Sequence, residues 1–337
     1  MRQYIEKIIS GEDLTRSEAY GAMIGIMEGK ASDVLISALL VALKIKGESV
    51  EEISGFSEAM LEKAEKVVVS GGNLVDTCGT GGDSLNTFNI STTAAFIAAG
   101  AGVRIAKHGN RSVSSRSGSA DVLEELGINI NLDVKGVSRC IEETGMGFIF
   151  APMAHKAMKY VAGVRKELEI RTVFNILGPI TNPAMASGRV LGVYEAGLID
   201  IMVGTLKNLG VERAYVINSE NGMDEFSTTS RVRAARLMDG KIEKMVIDPA
   251  DYGFAAADIG DLAGGDAAMN AKILEDILSG KIKGPMRDSA VFNAAAAIVV
   301  GKAADRIEDG IDLATRSIDS GSALEKLNGL IDCSNRK

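Results

Sequence analysis

The spacing of apolar positions changes character once, near residue 70. Before it, apolar residues recur every three or four positions, the period of a helix with one buried face. Thr15-Arg16-Ser17-Glu18 and Ser49-Val50-Glu51-Glu52 each match a capping box, in which a hydroxyl and a glutamate three residues on satisfy backbone N–H groups reciprocally. Each therefore starts a helix. Ser32-Asp33 opens another, Val34 to Lys46, stopped at Gly47, and Val50 to Lys66 carries Ile53, Phe56, Met60 and Leu61 at helical spacing. Residues 1 to about 70 thus read as helices only, their stripes as core, with Gly71-Gly72 as a hinge.

From Leu74 onward, short β-rich runs alternate with helical stretches. The expected strands are Leu74 to Thr77, Val103 to Ala106, Phe148 to Ala151, Val190 to Tyr194, Ala214 to Asn218 and Lys244 to Ile247. Helical patterns fall at Ser91 to Ala99, Ser119 to Leu126, Val134 to Thr144, His155 to Lys166 and Gly197 to Leu209, and again from Ala271 to Leu330, which is Ala-rich. This alternation predicts a mostly parallel sheet flanked by helices, with ligands at the C-terminal strand ends.

Composition narrows the class. At 337 residues and 46% hydrophobic, the chain suggests two domains and an ample core, with no transmembrane or disordered character. A net charge of −8 repels polyanions, so a phosphate site must be locally basic and a nucleic-acid partner is disfavoured. Met1 to Ser10 lacks the continuous apolar region of a signal peptide, so a cytoplasmic protein is expected. Cys78, Cys140 and Cys333 form no CxxC pair and read as reduced thiols. With only His108 and His155 present, a multi-histidine zinc site is not expected. Cys78 beside His108 suggests a nucleophile, but a small buried thiol at a strand end is the commoner state, and no covalent catalysis is expected.

The candidate chemistry lies between Asp76 and Leu126. Cys78-Gly79-Thr80-Gly81-Gly82-Asp83 follows the first strand, and its glycines let backbone N–H groups approach an anion closely. Asn89-Ile90-Ser91-Thr92 then starts a helix, whose N-terminus favours the same ligand. A second run, Lys107 to Ser119, combines three cations with five hydroxyls and two more glycines. A dinucleotide fingerprint would need glycine at Ser84, and no GxxxxGK[ST] run occurs. The Asn-x-Ser matches at Asn89 and Asn110 are coincidental outside a secreted chain. Adjacent carboxylates at Asp224 and Glu225 follow a strand end and suit either a solvated turn or Mg²⁺, which keeps most of its waters and bridges to phosphate oxygens. Arg165, Lys166 and Arg171 read equally as an ordinary helix face or as ligand contacts.

The ordered set of Cys-Gly-Thr-Gly-Gly-Asp at 78–83, Asn-Ile-Ser-Thr at 89–92, Lys-His-Gly-Asn-Arg-Ser-Val-Ser-Ser at 107–115, Arg-Thr-Val-Phe-Asn-Ile-Leu-Gly-Pro at 171–179 and Met-Asp-Glu-Phe-Ser at 223–227 resembles the anthranilate phosphoribosyltransferase family over essentially the whole chain. The resemblance implies a small helical domain, residues 1–70 joined by a segment near 165–188, and an α/β domain over 71–337. It also implies a homodimer through the helical domain and a role in tryptophan biosynthesis. The implied reaction joins anthranilate to the phosphoribosyl group of 5-phosphoribosyl 1-diphosphate, with Mg²⁺, releasing pyrophosphate. Carried over by position, Gly79, Gly82, Asp83, Thr87, Asn89, Ile90, Ser91, Thr92, Lys107, Ser115 and Ser119 bind phosphoribosyl diphosphate. Gly79, His108, Asn110 and Arg165 bind anthranilate, and Ser91, Asp224 and Glu225 hold the metal. Met223 and Phe226 are bulkier than the family pattern, which touches loop packing rather than ligands. The nearest alternatives are a pyrimidine nucleoside phosphorylase and a non-catalytic nucleic-acid-binding relative.

Overall fold

The computed structural model describes residues 1–112 and 116–336. Its N-terminal helices are α1 (Arg2–Ile9), α2 (Arg16–Met27), α3 (Asp33–Lys46) and α4 (Val50–Lys63). Both capping boxes form: Thr15 and Ser49 accept the N–H of Glu18 and Glu52, whose carboxylates accept the cap N–H in return. Glu52 is fully buried, and it also accepts the Leu14 N–H at 3.0 Å and pairs with Lys46 at 2.9 Å. A desolvated carboxylate needs that complement of partners.

The helical reading ends sooner than the periodicity suggests. After Lys63 the chain runs extended, with Glu65 N–H donating to the Ala154 carbonyl and Val67 N–H to that of Pro183. Pairing with a neighbouring segment here overrides local helical preference.

One seven-stranded sheet follows: β1 (Leu74–Thr77), β2 (Arg104–Gly109), β3 (Met146–Phe150), β4 (Gly188–Gly192), β5 (Arg213–Ser219), β6 (Val232–Met238) and β7 (Lys241–Ile247). The order is β3-β2-β1-β4-β5-β6-β7, parallel through β5 and antiparallel for β6 and β7. The remaining helices are α5 (Ile90–Gly100), α6 (Ser119–Glu125), α7 (Val134–Thr144), α8 (Ala151–Ala154), α9 (Lys159–Leu168), α10 (Phe174–Leu177), α11 (Leu198–Asn208), α12 (Ala267–Leu278), α13 (Pro285–Val300), α14 (Ile307–Asp319) and α15 (Ser322–Asn335).

Strand β6 is missing from the expected set. The helix expected from His155 to Lys166 forms as a 3₁₀ turn, Lys156–Met158, that runs directly into α9; α8, with Pro152 in its first turn, is an additional short helix before it, ended where His155 takes φ −110 and ψ 60, and it takes up Ala151, expected as the end of a strand.

Strand order reverses between β1 and β4, which opens a crevice outside their C-terminal ends. On one side of the sheet, α5 and α13 are buried almost throughout and join α14 and α15 in the larger core. On the other, the core of α1–α4 runs without a break through Val161, Phe174 and Leu177 onto Leu191, Val216 and Leu237 of the sheet. Among the described residues no helix is long and apolar enough to cross a membrane.

Candidate active site

The glycine-rich loop leaves β1 directly into that crevice. Three consecutive residues anchor it to three different elements. Thr80 N–H donates to the Gly192 carbonyl at 2.9 Å, and its hydroxyl accepts the Tyr194 N–H at 3.1 Å. Gly81 N–H donates to Asp224 Oδ2 at 2.7 Å. The Gly82 carbonyl accepts from Arg171 Nη2 at 2.5 Å. Gly82 has φ +84, and a Cβ there would lie 2.3 Å from that guanidinium, so both conformation and space require glycine. Gly192 likewise admits the acidic loop, since its Cβ would fall 1.5 Å from the Asp224 carbonyl oxygen.

Asp224 and Glu225 are held from both sides of the crevice. Glu225 Oε1 accepts the Ser91 N–H at the start of α5 at 3.2 Å, and Ser219 Oγ donates to the Glu225 carbonyl at 2.7 Å. Burial, with Asp83 close by, pushes the Asp224 carboxyl up to about 6. Burial and then Asp224 push that of Glu225 up to about 8. Two buried adjacent carboxylates, with Asp83 close to Asp224 and Lys107 as the cation facing Glu225, thus hold negative charge that burial disfavours, which is the electrostatic condition for holding a hard cation. The described residues contain no cluster of three metal-ligating side chains, so two carboxylates and the Ser91 hydroxyl would supply only part of a coordination shell. That fits Mg²⁺, whose remaining positions go to water and phosphate oxygens.

Successive side chains of a strand point to opposite faces, and β2 uses this to divide its work. Lys107, 2% exposed, reaches the crevice: its Nζ donates to the Thr77 carbonyl at 2.5 Å and lies 3.3 Å from Ser91 Oγ. His108 turns the other way, against His155, with ring centroids 5.2 Å apart. A carbonyl only accepts, so Nδ1 carries the proton it donates to the Gly178 oxygen at 3.2 Å. Nε2 is then a buried acceptor without a partner among the described residues. Burial pushes His108 down to about 4 and His155 to about 3, so both imidazoles are neutral. Beneath them, fully buried Asp76 accepts the His108 N–H at 3.1 Å, Asn182 Nδ2 at 2.8 Å and Arg189 Nη1 at 2.8 Å. The surroundings push the Cys78 thiol up to about 12, which disfavours the thiolate a nucleophile needs.

Other expected residues divide. Asn89 precedes α5, but its side chain does not cap the helix; it donates to the Ser117 carbonyl at 3.4 Å and accepts from Asn270 at 2.9 Å. Ile90 and Thr92 are buried in the first turn, and Thr87 pairs in a bridge with Ala263. Asp83 Oδ1 accepts the Leu85 N–H at 3.2 Å, and Ser119 Oγ donates to the Asn110 carbonyl at 3.4 Å. Ser115 lies outside the described residues. Of the three cations in the second run, only Lys107 enters the crevice. Arg111 pairs with Asp121 and Glu124, and Arg116 is exposed. Arg165, in the last turn of α9, sits over Phe174 at 5.6 Å with no ion pair among the described residues; no hydrogen bond joins it to Asn110 or His108. Arg171 is on no helix, since α9 ends at Leu168 with Glu169 left-handed at φ +50. Asn293 was not foreseen: buried in Ala-rich α13, it accepts the Phe226 N–H at 2.9 Å and donates to its carbonyl at 2.8 Å. Met223 and Phe226 point into the core, Phe226 against Tyr215 and Phe292, so their bulk fills the body rather than the site.

The glycosyl transferase family helical bundle domain matches residues 2–64, and the glycosyl transferase family a/b domain matches residues 71–324. An anthranilate phosphoribosyltransferase of Acetivibrio thermocellus is 51% identical over 335 residues, 99% of this chain and 97% of that one. The chain belongs to the anthranilate phosphoribosyltransferase family. Solved structures of family members agree. That of Thermus thermophilus superposes with a TM-score of 0.94 at 39% identity, over 99% of both chains. That of Saccharomyces cerevisiae, in complex with phosphoribosyl diphosphate and Mg, gives 0.90 at 28% identity over 99% of this chain and 97% of that one. Family membership accounts for the crevice between β1 and β4 and for the helical bundle beside it.

Proposed function

We propose that this chain transfers the phosphoribosyl group of 5-phosphoribosyl 1-diphosphate to anthranilate, giving N-(5-phosphoribosyl)anthranilate and pyrophosphate, in tryptophan biosynthesis. The observation that carries the reading is the joint construction of loop, helix start and acidic pair, in which Gly81 N–H and Ser91 N–H each hold one carboxylate of Asp224-Glu225. A diphosphate seated on the loop would meet the carboxylates that hold its metal.

In this reading Gly79, Gly82, Asp83, Thr87, residues 89–92, Lys107, Ser115 and Ser119 surround the phosphoribosyl diphosphate. Gly79, Asn110 and Arg165 take anthranilate, with the buried His108 beside its ring, and the half-buried Arg165 guanidinium is suited to bidentate pairing with its carboxylate. Ser91, Asp224 and Glu225 hold Mg²⁺. When bound, the metal offsets the charge that builds on the departing pyrophosphate. The chain's own contribution is placement: anthranilate's neutral amine is already nucleophilic and needs to be set behind C1 of the ribose. Neither a covalent intermediate nor a strong general base is required. We further take residues 1–70 with the segment 165–188 as one body and the rest of 71–337 as the other, in a cytoplasmic homodimer formed through the helical domain.

The test is anthranilate fluorescence on mixing with the purified chain. Loss of signal is expected only when phosphoribosyl diphosphate and Mg²⁺ are both present. Persistence of the signal with folded protein would discard the reading and direct assays to phosphorolysis of pyrimidine nucleosides.

A further inference from the structure

The three anchors of the glycine-rich loop are not equivalent. Those at Thr80 and Gly81 come from the end of β4 and the acidic loop, both parts of the body that carries the glycine loop itself. The third comes from Arg171, in the segment that leaves α9 and continues into Val173 and Phe174, which are buried in the core shared with the helical bundle. The Arg171 guanidinium lies over the Tyr194 ring, with Cζ 4.1 Å from its centroid, and it has no carboxylate partner among the described residues. A cation held over an aromatic ring and bonded to a carbonyl is fixed in position, yet its charge is not neutralised. Gly82 has no Cβ where one would strike that guanidinium.

We propose that Arg171 is a positioning residue for the phosphoribosyl diphosphate site. By holding the Gly82 carbonyl it fixes the turn in which the N–H groups of Gly82 and Asp83, unlike those of Thr80 and Gly81, are left for the diphosphate, and it ties that loop to the segment following the helix that carries Arg165. The loop needs such a hold: Gly81, Gly82, Ser84 and Asn86 all have positive φ, and the two non-glycine residues favour that state only when neighbours impose it. Tyr194 completes the latch from the other side, since its N–H is bonded to Thr80 while its ring supports Arg171.

This inference rests on the proposed function for the identity of the ligand, so its test includes a binding measurement that does not depend on anthranilate chemistry. Arg171→Gln and Arg171→Lys are compared with the unchanged chain by calorimetric titration with magnesium pyrophosphate and by kinetics with each substrate varied. Arg171→Gln is expected to weaken pyrophosphate binding about tenfold and to raise the KM for phosphoribosyl diphosphate by a similar factor. The anthranilate KM and kcat should stay within about twofold. Arg171→Lys should recover part of the loss, because an ammonium can reach the carbonyl but cannot lie flat on the ring. Unchanged pyrophosphate affinity in a folded variant would overturn the proposal, as would an equal rise in both KM values, which marks general loosening of the cleft. If the glutamine variant does not fold, the lysine variant decides on the same two readings. An unchanged chain that binds pyrophosphate but leaves anthranilate untouched would sink the proposed reaction alone, with the pyrophosphate series still deciding the latch.

Discussion

Glu225 carries its charge where the surroundings oppose it, and that has a measurable consequence. Burial and the neighbouring Asp224 push its carboxyl from 4.5 up to about 8. A carboxyl that binds its proton more tightly in the folded chain stabilises fully below the unfolded value, and this contribution is lost as pH rises through the folded value. Ligand-free protein should therefore lose melting temperature between about pH 5 and about pH 8, and Glu225→Gln, which cannot ionise, should flatten part of that slope. Calorimetric melting in the absence of divalent ions measures both. Equal slopes in the two proteins would show that Glu225 is not the source. The adjacent acids themselves are legible in the sequence because they follow a strand end. Their partners at Gly81 and Ser91 are not, since they lie more than a hundred residues away and only the fold joins them.

At the level of elements, local signals succeed where capping or periodicity is strong and fail where a contact is purely tertiary. The two capping boxes read correctly because both partners sit within four residues of each other. Strand β6 escaped notice because Arg233 and Arg236 interrupt its apolar pattern, although Asp239-Gly240, both at positive φ, is a hairpin turn signal that would have revealed it. Asn293 has no local signal at all, standing before a run of alanines in α13. Its side chain nonetheless straps the backbone just beyond the acidic pair by two hydrogen bonds to Phe226. Asn293→Ala would leave a buried N–H and a buried carbonyl without that partner, at a cost of about 1 to 3 kcal/mol each. The variant is expected to lose about 2 to 6 kcal/mol in urea unfolding and to need more Mg²⁺ for half-maximal activity. Lost stability with an unaltered Mg²⁺ requirement would limit Asn293 to a structural role.

For the molecule as a whole, the outer face of the helical bundle bears on assembly. On α3, the inward positions Ile36, Leu39, Leu40 and Leu43 fill the core, while Val34 and Ile45 are 77% and 82% exposed. A step of eleven residues is just over three full turns, so these two share one face, and Ile9 at the end of neighbouring α1 is 72% exposed. Aliphatic side chains repeated on one face of a bundle, with polar surface elsewhere, fit a self-complementary contact between two copies. Ile45→Asp should place a charge in that contact without touching the core, and light scattering at micromolar concentration is expected to give a dimer for the unchanged chain and a monomer for the variant. The hydrogen bonds that position the glycine loop, the acidic pair and Lys107 involve no residue of α1 or α3, whose exposed face would form the contact. The monomeric variant should therefore keep its kcat within about twofold while becoming easier to unfold. A large fall in kcat on dissociation would mean that the partner subunit supports the crevice, and a variant that remains dimeric would move the contact off this face.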